Sequence, residues 1–134
     1  MLQSDIIKKI SIVIPCFNEE NTIGEIIKRV LIETQNLQNL EFEIIIIDDA
    51  SKDETINEIK KNNDKRIKLF VNSQNFGKGY SLRKGIKEAS GDIILFQDAD
   101  LEYNPSDYKK LLKPIVEGNA DVVYGSRFVG GNEK

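Results

Sequence analysis

Carboxylates fall in two close sets in this sequence, Asp48-Asp49 and Asp98-Ala99-Asp100. Like charges at that spacing repel unless a cation or hydrogen-bond donors offset them. An Asp-X-Asp directly after an apolar run suits a divalent ion. Mg²⁺ and Mn²⁺ take hard oxygen ligands, keep several waters and share substrate phosphate oxygens, so one or two carboxylates suffice. Such a site would tether a diphosphate rather than cage a metal within the protein. Asp and Asn after strands also form turns and helix caps, and for any one of these residues taken singly that reading stands beside the metal one. The chain has no histidine and one cysteine, Cys16. Ser-His and Cys-His catalysis, His-ligated zinc and an internal disulfide are therefore excluded, and Cys16 reads as a small packing residue at a strand end. Chemistry must come from carboxylates, Lys, Arg, Tyr, the backbone and a hard metal.

Two phosphate-binding patterns fail. No G-x-x-x-x-G-K-[ST] occurs, and Gly77-Lys78-Gly79 supplies the first two glycines of a dinucleotide fingerprint but has Leu82 at the third. The first strand-helix turn, where that fingerprint belongs, has no glycine, which disfavours a nicotinamide cofactor. Gly77 to Gly79 stays open between a turn before a helix and a phosphate-facing loop, and Lys78 goes with it. Arg127 is either solvated or, through its planar fork, a diphosphate ligand. Tyr103 and Tyr108 read as surface or packing aromatics.

These residues follow apolar runs that alternate in type. Ile10, Ile12, Val13 and Ile14 predict a strand that stops at Pro15. Ile23, Ile26, Ile27, Val30 and Leu31 recur at helical spacing and predict a helix with one apolar face. Glu43 to Ile47 predicts a parallel strand covered on both faces, and Ser51 with Glu54 forms a capping-box signal for the next helix. Ile67 to Val71 is a third strand. Lys78 to Ala89 is a helix with Leu82, Ile86 and Ala89 on one side, and Asp92 to Phe96 is a fourth strand. Asn104 and Pro105 begin a helix carrying Tyr108, Leu111, Leu112 and Ile115, kinked or shortened by Pro114, and Ala120 to Tyr124 is a fifth strand. The alternation predicts a three-layer α/β/α fold with a mostly parallel sheet and right-handed crossovers. In such sheets ligands bind beyond the carboxyl ends of the strands, where Pro15, Phe17, Asn18 and Glu19, then Asp48 and Asp49, then Asp98 and Asp100 gather.

With 134 residues, 40% hydrophobic and 31% charged, the chain has the size and balance of one soluble globular domain, residues 1–134. A net charge of -3 lacks the broad positive field that nucleic-acid binding needs. The longest apolar run, Ile44 to Ile47, is too short to cross a bilayer, and no apolar leader begins the chain. The expected location is cytosolic, or peripheral on the cytosolic face of a membrane.

The segments SIVIPCFNEENTI, EIIIIDDASKDET, NFGKG, GDIILFQDADLEYNPSDY and ADVVYGSRF, in that order, resemble the donor-binding half of family 2 glycosyltransferases with a GT-A fold. The similarity runs from about Ile10 to Phe128. Within the family it is strongest to the polyprenyl-phosphate branch, the dolichyl-phosphate mannosyltransferases and the dolichyl- or undecaprenyl-phosphate glucosyltransferases. The resemblance implies that Pro15, Phe17 and Glu19 line a nucleotide pocket and that Ile47 and Asp49 meet base and ribose. Phe17 stands where the family often has Tyr, which keeps stacking and removes a hydroxyl. The resemblance also implies Asp98 and Asp100 beside Mg²⁺ or Mn²⁺, the Ala99 backbone near the donor, Glu102 as a further donor or metal contact, and Arg127 at the diphosphate. Lys78 joins the substrate-binding set, and Asp100 and Arg127 form the catalytic pair.

The activity implied by the resemblance is metal-dependent, inverting transfer of mannose or glucose from GDP-mannose or UDP-glucose to a lipid phosphate. Transfer to another glycan acceptor, or a non-catalytic sugar-nucleotide-binding module, are the alternatives. Family members normally continue into acceptor-binding and membrane-associated segments. The expectation is therefore a donor half, completed by a missing C-terminal segment or by a membrane-associated partner.

Overall fold

The computed structural model describes residues 9–37, 39–100 and 108, in which four strands alternate with three helices. The elements are β1 (Lys9–Cys16), α1 (Ile23–Gln35), β2 (Glu41–Asp48), α2 (Thr55–Lys60), β3 (Ile67–Val71), α3 (Lys78–Glu88) and β4 (Ile93–Phe96). All pairings are parallel and the sheet order is β3-β2-β1-β4. Parallel strands are covered on both faces, which is why β1 and β2 are nearly continuous Ile and Val. Ile10, Ile12 and Ile14 of β1 and Ile44 and Ile46 of β2 pack with Ile23, Ile26, Ile27 and Val30 of α1 and Ile59 of α2. Val13, Ile45 and Ile47 form a smaller cluster on the other face, where α3 contacts β1 and β2. The three layers are those the alternation predicts.

Three local expectations change. First, β1 does not stop at Pro15 but continues through Cys16, with Pro15 opposite Ile47. Pro15 lies beyond the last β4 partner of β1, Val13 opposite Phe96, so its missing N–H costs no rung there. Second, Ser51 and Glu54 form no capping box. The helix begins at Thr55 without a side-chain cap, because the Ser51 hydroxyl is drawn to the Asp48 carboxylate at 2.6 Å. Asp53 instead receives the Thr55 N–H at 2.9 Å. Third, the buried face of α3 carries Ser81 and Gly85, whereas Ile86 is 47% exposed. A Cβ on Gly85 would run into Val13 Cγ1; the glycine lets the helix lie close on the sheet and turns Ile86 outward.

From β1 the chain adds β2 and β3 on one side, then returns to place β4 on the other. Connections diverge at the carboxyl ends of β1 and β4, and a crevice opens there. Tyr108 is buried against the α1-side core, and its hydroxyl donates to Gln97 Oε1 at 2.8 Å just past β4. Apart from Tyr108, the helix expected from Asn104 and the strand expected at Ala120 to Tyr124 lie outside the described residues. No helix among the described residues is long and apolar enough to cross a membrane.

Candidate donor site

A cleft of about 320 Å³ sits at this switch point. Pro15, Cys16, Phe17 and Glu19 reach it from the end of β1, Asp98, Ala99 and Asp100 from the end of β4, Asp49 from the end of β2, and Asn75, Gly77, Lys78 and Ser81 from the loop after β3 and the start of α3. Eight of the residues singled out in the sequence thus meet in one place: Pro15, Phe17, Glu19, Asp49, Lys78, Asp98, Ala99 and Asp100. Ile47 does not. Its side chain is fully buried with Val13 and Ile45, so it shapes the sheet beneath Asp49 rather than the cleft surface. Glu102 and Arg127 lie outside the described residues. Gly77 was legible as part of the open Gly77 to Gly79 reading, Asn75 only as a member of NFGKG, and Ser81 carried no signal at all.

The two adjacent aspartates separate. Asp48 is fully buried and outside the cleft; its carboxylate accepts the Ser51 N–H at 2.8 Å and the Ser51 hydroxyl. Asp49 accepts Asn72 Nδ2, the Phe76 N–H and the Gly77 N–H, each at 2.8 Å. The offset that two neighbouring carboxylates require comes from internal donors, which corrects the reading of Asp48-Asp49 as a shared rim charge. The same bonds latch the loop ahead of α3, where Gly77 at φ 98° makes a turn that L side chains rarely adopt.

The loop after β1 is laced to the loop after β2. Asn18 N–H donates to Ser51 Oγ, Lys52 N–H to Asn18 Oδ1, Glu19 N–H to Thr55 Oγ1, and Glu54 N–H to Glu20 Oε1. Glu19 is thereby held toward the cleft. Thr22 has one hydroxyl proton and two acceptors, Ala99 O at 2.6 Å and Glu19 Oε2 at 3.0 Å, so it ties the entry of α1 to the Asp98-Ala99-Asp100 turn. Burial pushes the Glu19 carboxyl up, and the negative charges of Asp100, Asp53 and Asp98 add to the push.

Facing this acidic wall, Lys78 Nζ donates to Asp98 Oδ1 at 2.8 Å. Cys16, 5% exposed, lies 3.5 Å from Asp48 Oδ1. Burial, followed by the Asp48 charge, pushes its thiol far above the ordinary range, so it is a packing residue and not a nucleophile.

Hard oxygen donors on one side and a lysine with a helix N-terminus on the other suit a cation and a diphosphate together. No group of three or more His, Cys, Asp or Glu among the described residues could hold a metal by itself. The donor set therefore fits Mg²⁺ or Mn²⁺ that completes its shell with water and ligand phosphate oxygens, and Asp98 and Asp100 are the residues that would hold it.

A parallel sheet with a cleft at its switch point defines an open α/β domain, and comparison with known proteins places it more narrowly. The chain belongs to glycosyl transferase family 2, matched over residues 11–134. It is 34% identical over 126 residues to the dolichol-phosphate mannosyltransferase of Pyrococcus furiosus, covering 93% of this chain and 35% of that protein. The GT-A sheet is shared with S. aureus TarS in complex with UDP, at a TM-score of 0.73 and 28% identity, over 92% of this chain and 37% of that one. It is shared too with glucosyl-3-phosphoglycerate synthase from Mycobacterium tuberculosis in complex with Mn²⁺, UDP-glucose and phosphoglyceric acid. There the TM-score is 0.68 at 28% identity, over 83% of this chain and 40% of that one. The chain thus spans between a third and two fifths of the length of these proteins.

Proposed function

We propose that this chain forms the donor-binding part of a hexosyltransferase that takes mannose or glucose from a nucleotide sugar and passes it, with inversion, to a polyprenyl phosphate. The observation that carries the reading is the convergence of Asp98, Asp100, Glu19 and Lys78 on one cleft at the β1/β4 switch point. The family match, a dolichol-phosphate mannosyltransferase as relative, and solved neighbours holding UDP or UDP-glucose with Mn²⁺ support it.

In this reading Pro15 and Phe17, the latter 41% exposed at the mouth, offer an apolar surface to the base. Asp49 keeps the floor of the nucleotide pocket in shape through its hold on Phe76 and Gly77. Asp98 and Asp100 carry the divalent ion, which when bound supplies positive charge to the diphosphate as the anomeric bond breaks. Lys78 and the N-terminus of α3 add charge at the same group, and Arg127 and Glu102 complete the donor contacts. Stabilisation that grows with the charge on the leaving diphosphate lowers the barrier more than it tightens ground-state binding. A lipid phosphate is already anionic and needs no general base, which agrees with a chain without histidine.

Calorimetric titration of the chain with UDP-glucose and GDP-mannose, with Mn²⁺ and with excess chelator, tests the reading. One donor binds in a metal-dependent way, and Asp100→Asn weakens that binding about tenfold or more by removing a charged oxygen. Titrations of Asp100→Asn that match the wild type with and without Mn²⁺ would sink the assignment.

A further inference from the structure

Lys78 is the first residue of α3, at the positive end of the helix, where a cation is electrostatically misplaced. Its ammonium pairs with Asp98 at 2.8 Å, the lysine side chain 57% exposed and the aspartate 14%. The placement is built into the fold. Asp49 latches the Phe76 and Gly77 amides, Gly77 turns the chain at φ 98°, and the next residue is aimed across the cleft. The residue that the proposed function gives to a divalent ion therefore already has a cation on Oδ1.

We propose that Lys78 is the resident counter-ion of Asp98 and that a divalent cation must displace it, so that metal and diphosphate enter the cleft as a coupled pair. The inference rests on the reading of Asp98 and Asp100 as metal-facing. A metal on the Asp98 carboxylate sets a divalent charge beside the ammonium that pairs with the same group. In the absence of nucleotide the two cations therefore repel and compete for its charge, and the metal binds weakly. A diphosphate gives the displaced ammonium a new anionic partner and gives the metal phosphate oxygens, which removes the competition. Lys78 thereby becomes a positioning residue that links the two occupants, each raising the affinity of the other by the same factor.

Mn²⁺ binding to the full chain, read from the free-Mn²⁺ EPR signal first without nucleotide and then with UDP or GDP, tests this independently of turnover. Without nucleotide, Lys78→Met binds Mn²⁺ about fivefold tighter than the wild type, since an exposed ion pair is worth up to ~1 kcal/mol. Lys78→Arg, which keeps the charge, stays close to the wild type. The nucleoside diphosphate then strengthens Mn²⁺ binding by a larger factor in the wild type than in Lys78→Met. Equal Mn²⁺ affinities of wild type and Lys78→Met, each still weakened by Asp98→Asn, would overturn the competition while leaving the metal reading intact. Absence of Mn²⁺ binding in every form, nucleotide included, would overturn both. Lys78→Gln carries the same expectation if the methionine variant aggregates.

Discussion

Successive strand residues point to opposite faces, so Asp48 and Asp49 leave the end of β2 in different directions although their chemistry is the same. Asp48 closes the turn into α2 through Ser51, and Asp49 crosses to the amides before α3. Removing the second carboxylate leaves two backbone donors and Asn72 Nδ2 without their acceptor, at a cost of roughly 1–3 kcal/mol for each buried group left unsatisfied. Asp49→Ala is therefore expected to lower the urea midpoint, to speed amide exchange at Phe76 and Gly77, and to weaken nucleotide binding. Unchanged exchange at those two amides would contradict the latch. The doublet was visible in the sequence, but the division of labour was not, because it depends on which donors the fold brings to each side chain.

The helices show how element identity and element orientation separate. Ile spacing fixes the buried stripe of α1, and Ile23, Ile26, Ile27 and Val30 are all buried as that spacing predicts. In α3 the same rule misleads. Leu82, Ile86 and Ala89 suggest the packing face, and Ala89 at the end of the helix does pack on the Val13 cluster. Within the helix, however, Ile86 turns outward and Ser81 and Gly85 are buried instead, because a small residue admits Val13. A methyl group at position 85 has nowhere to go, so Gly85→Ala is expected to destabilise the protein by about 1–3 kcal/mol despite the better helix propensity of alanine. The same change in an exposed helix would stabilise by up to ~1 kcal/mol, so a thermal melt that rises on Gly85→Ala would refute the close packing. The laced loops after β1 and β2 obey the same logic. The polar stretches Asn18–Thr22 and Asp48–Thr55 announce turns, and only the adjacency of β1 and β2 makes those turns bond to each other.

Far from the cleft, Glu43 binds several parts of the molecule together. Buried in β2, it accepts the Ser11 hydroxyl from β1 at 2.5 Å, Lys68 Nζ from β3 at 2.9 Å and the Ser90 N–H ahead of β4 at 2.6 Å. Burial alone would push its carboxyl up, but the hydrogen bonds from Ser11, Ser90 and Lys68 outweigh that and hold it at about 2. A carboxylate whose folded pKa is depressed contributes stability above its unfolded value near 4.5, and that contribution is lost as the pH falls toward 2. Wild-type stability is expected to fall through that window, whereas Glu43→Gln is less stable at pH 7, by roughly 2–3 kcal/mol, and falls less steeply as the pH drops toward 2. The remaining slope comes from Asp64 and Asp53, whose carboxyls are also held low. Urea midpoints measured against pH separate the two, and parallel profiles would exclude Glu43 as the group responsible.

The sequence by itself determined the layers, the parallel strands and the carboxylates after β1, β2 and β4, because side-chain periodicity reports local exposure and strand ends in an α/β sheet share one rim. The family motifs were likewise readable as linear strings. Only the tertiary structure decided that Asp48 and Ile47 are withdrawn while Asp49 organises a loop, that Ser51 serves Asp48 and not a helix cap, that Gly85 chooses the face of α3, and that Lys78 meets Asp98. Each of these depends on a partner from another strand or from a distant turn. Such partners are set by sheet order and close approach, which no local spacing encodes.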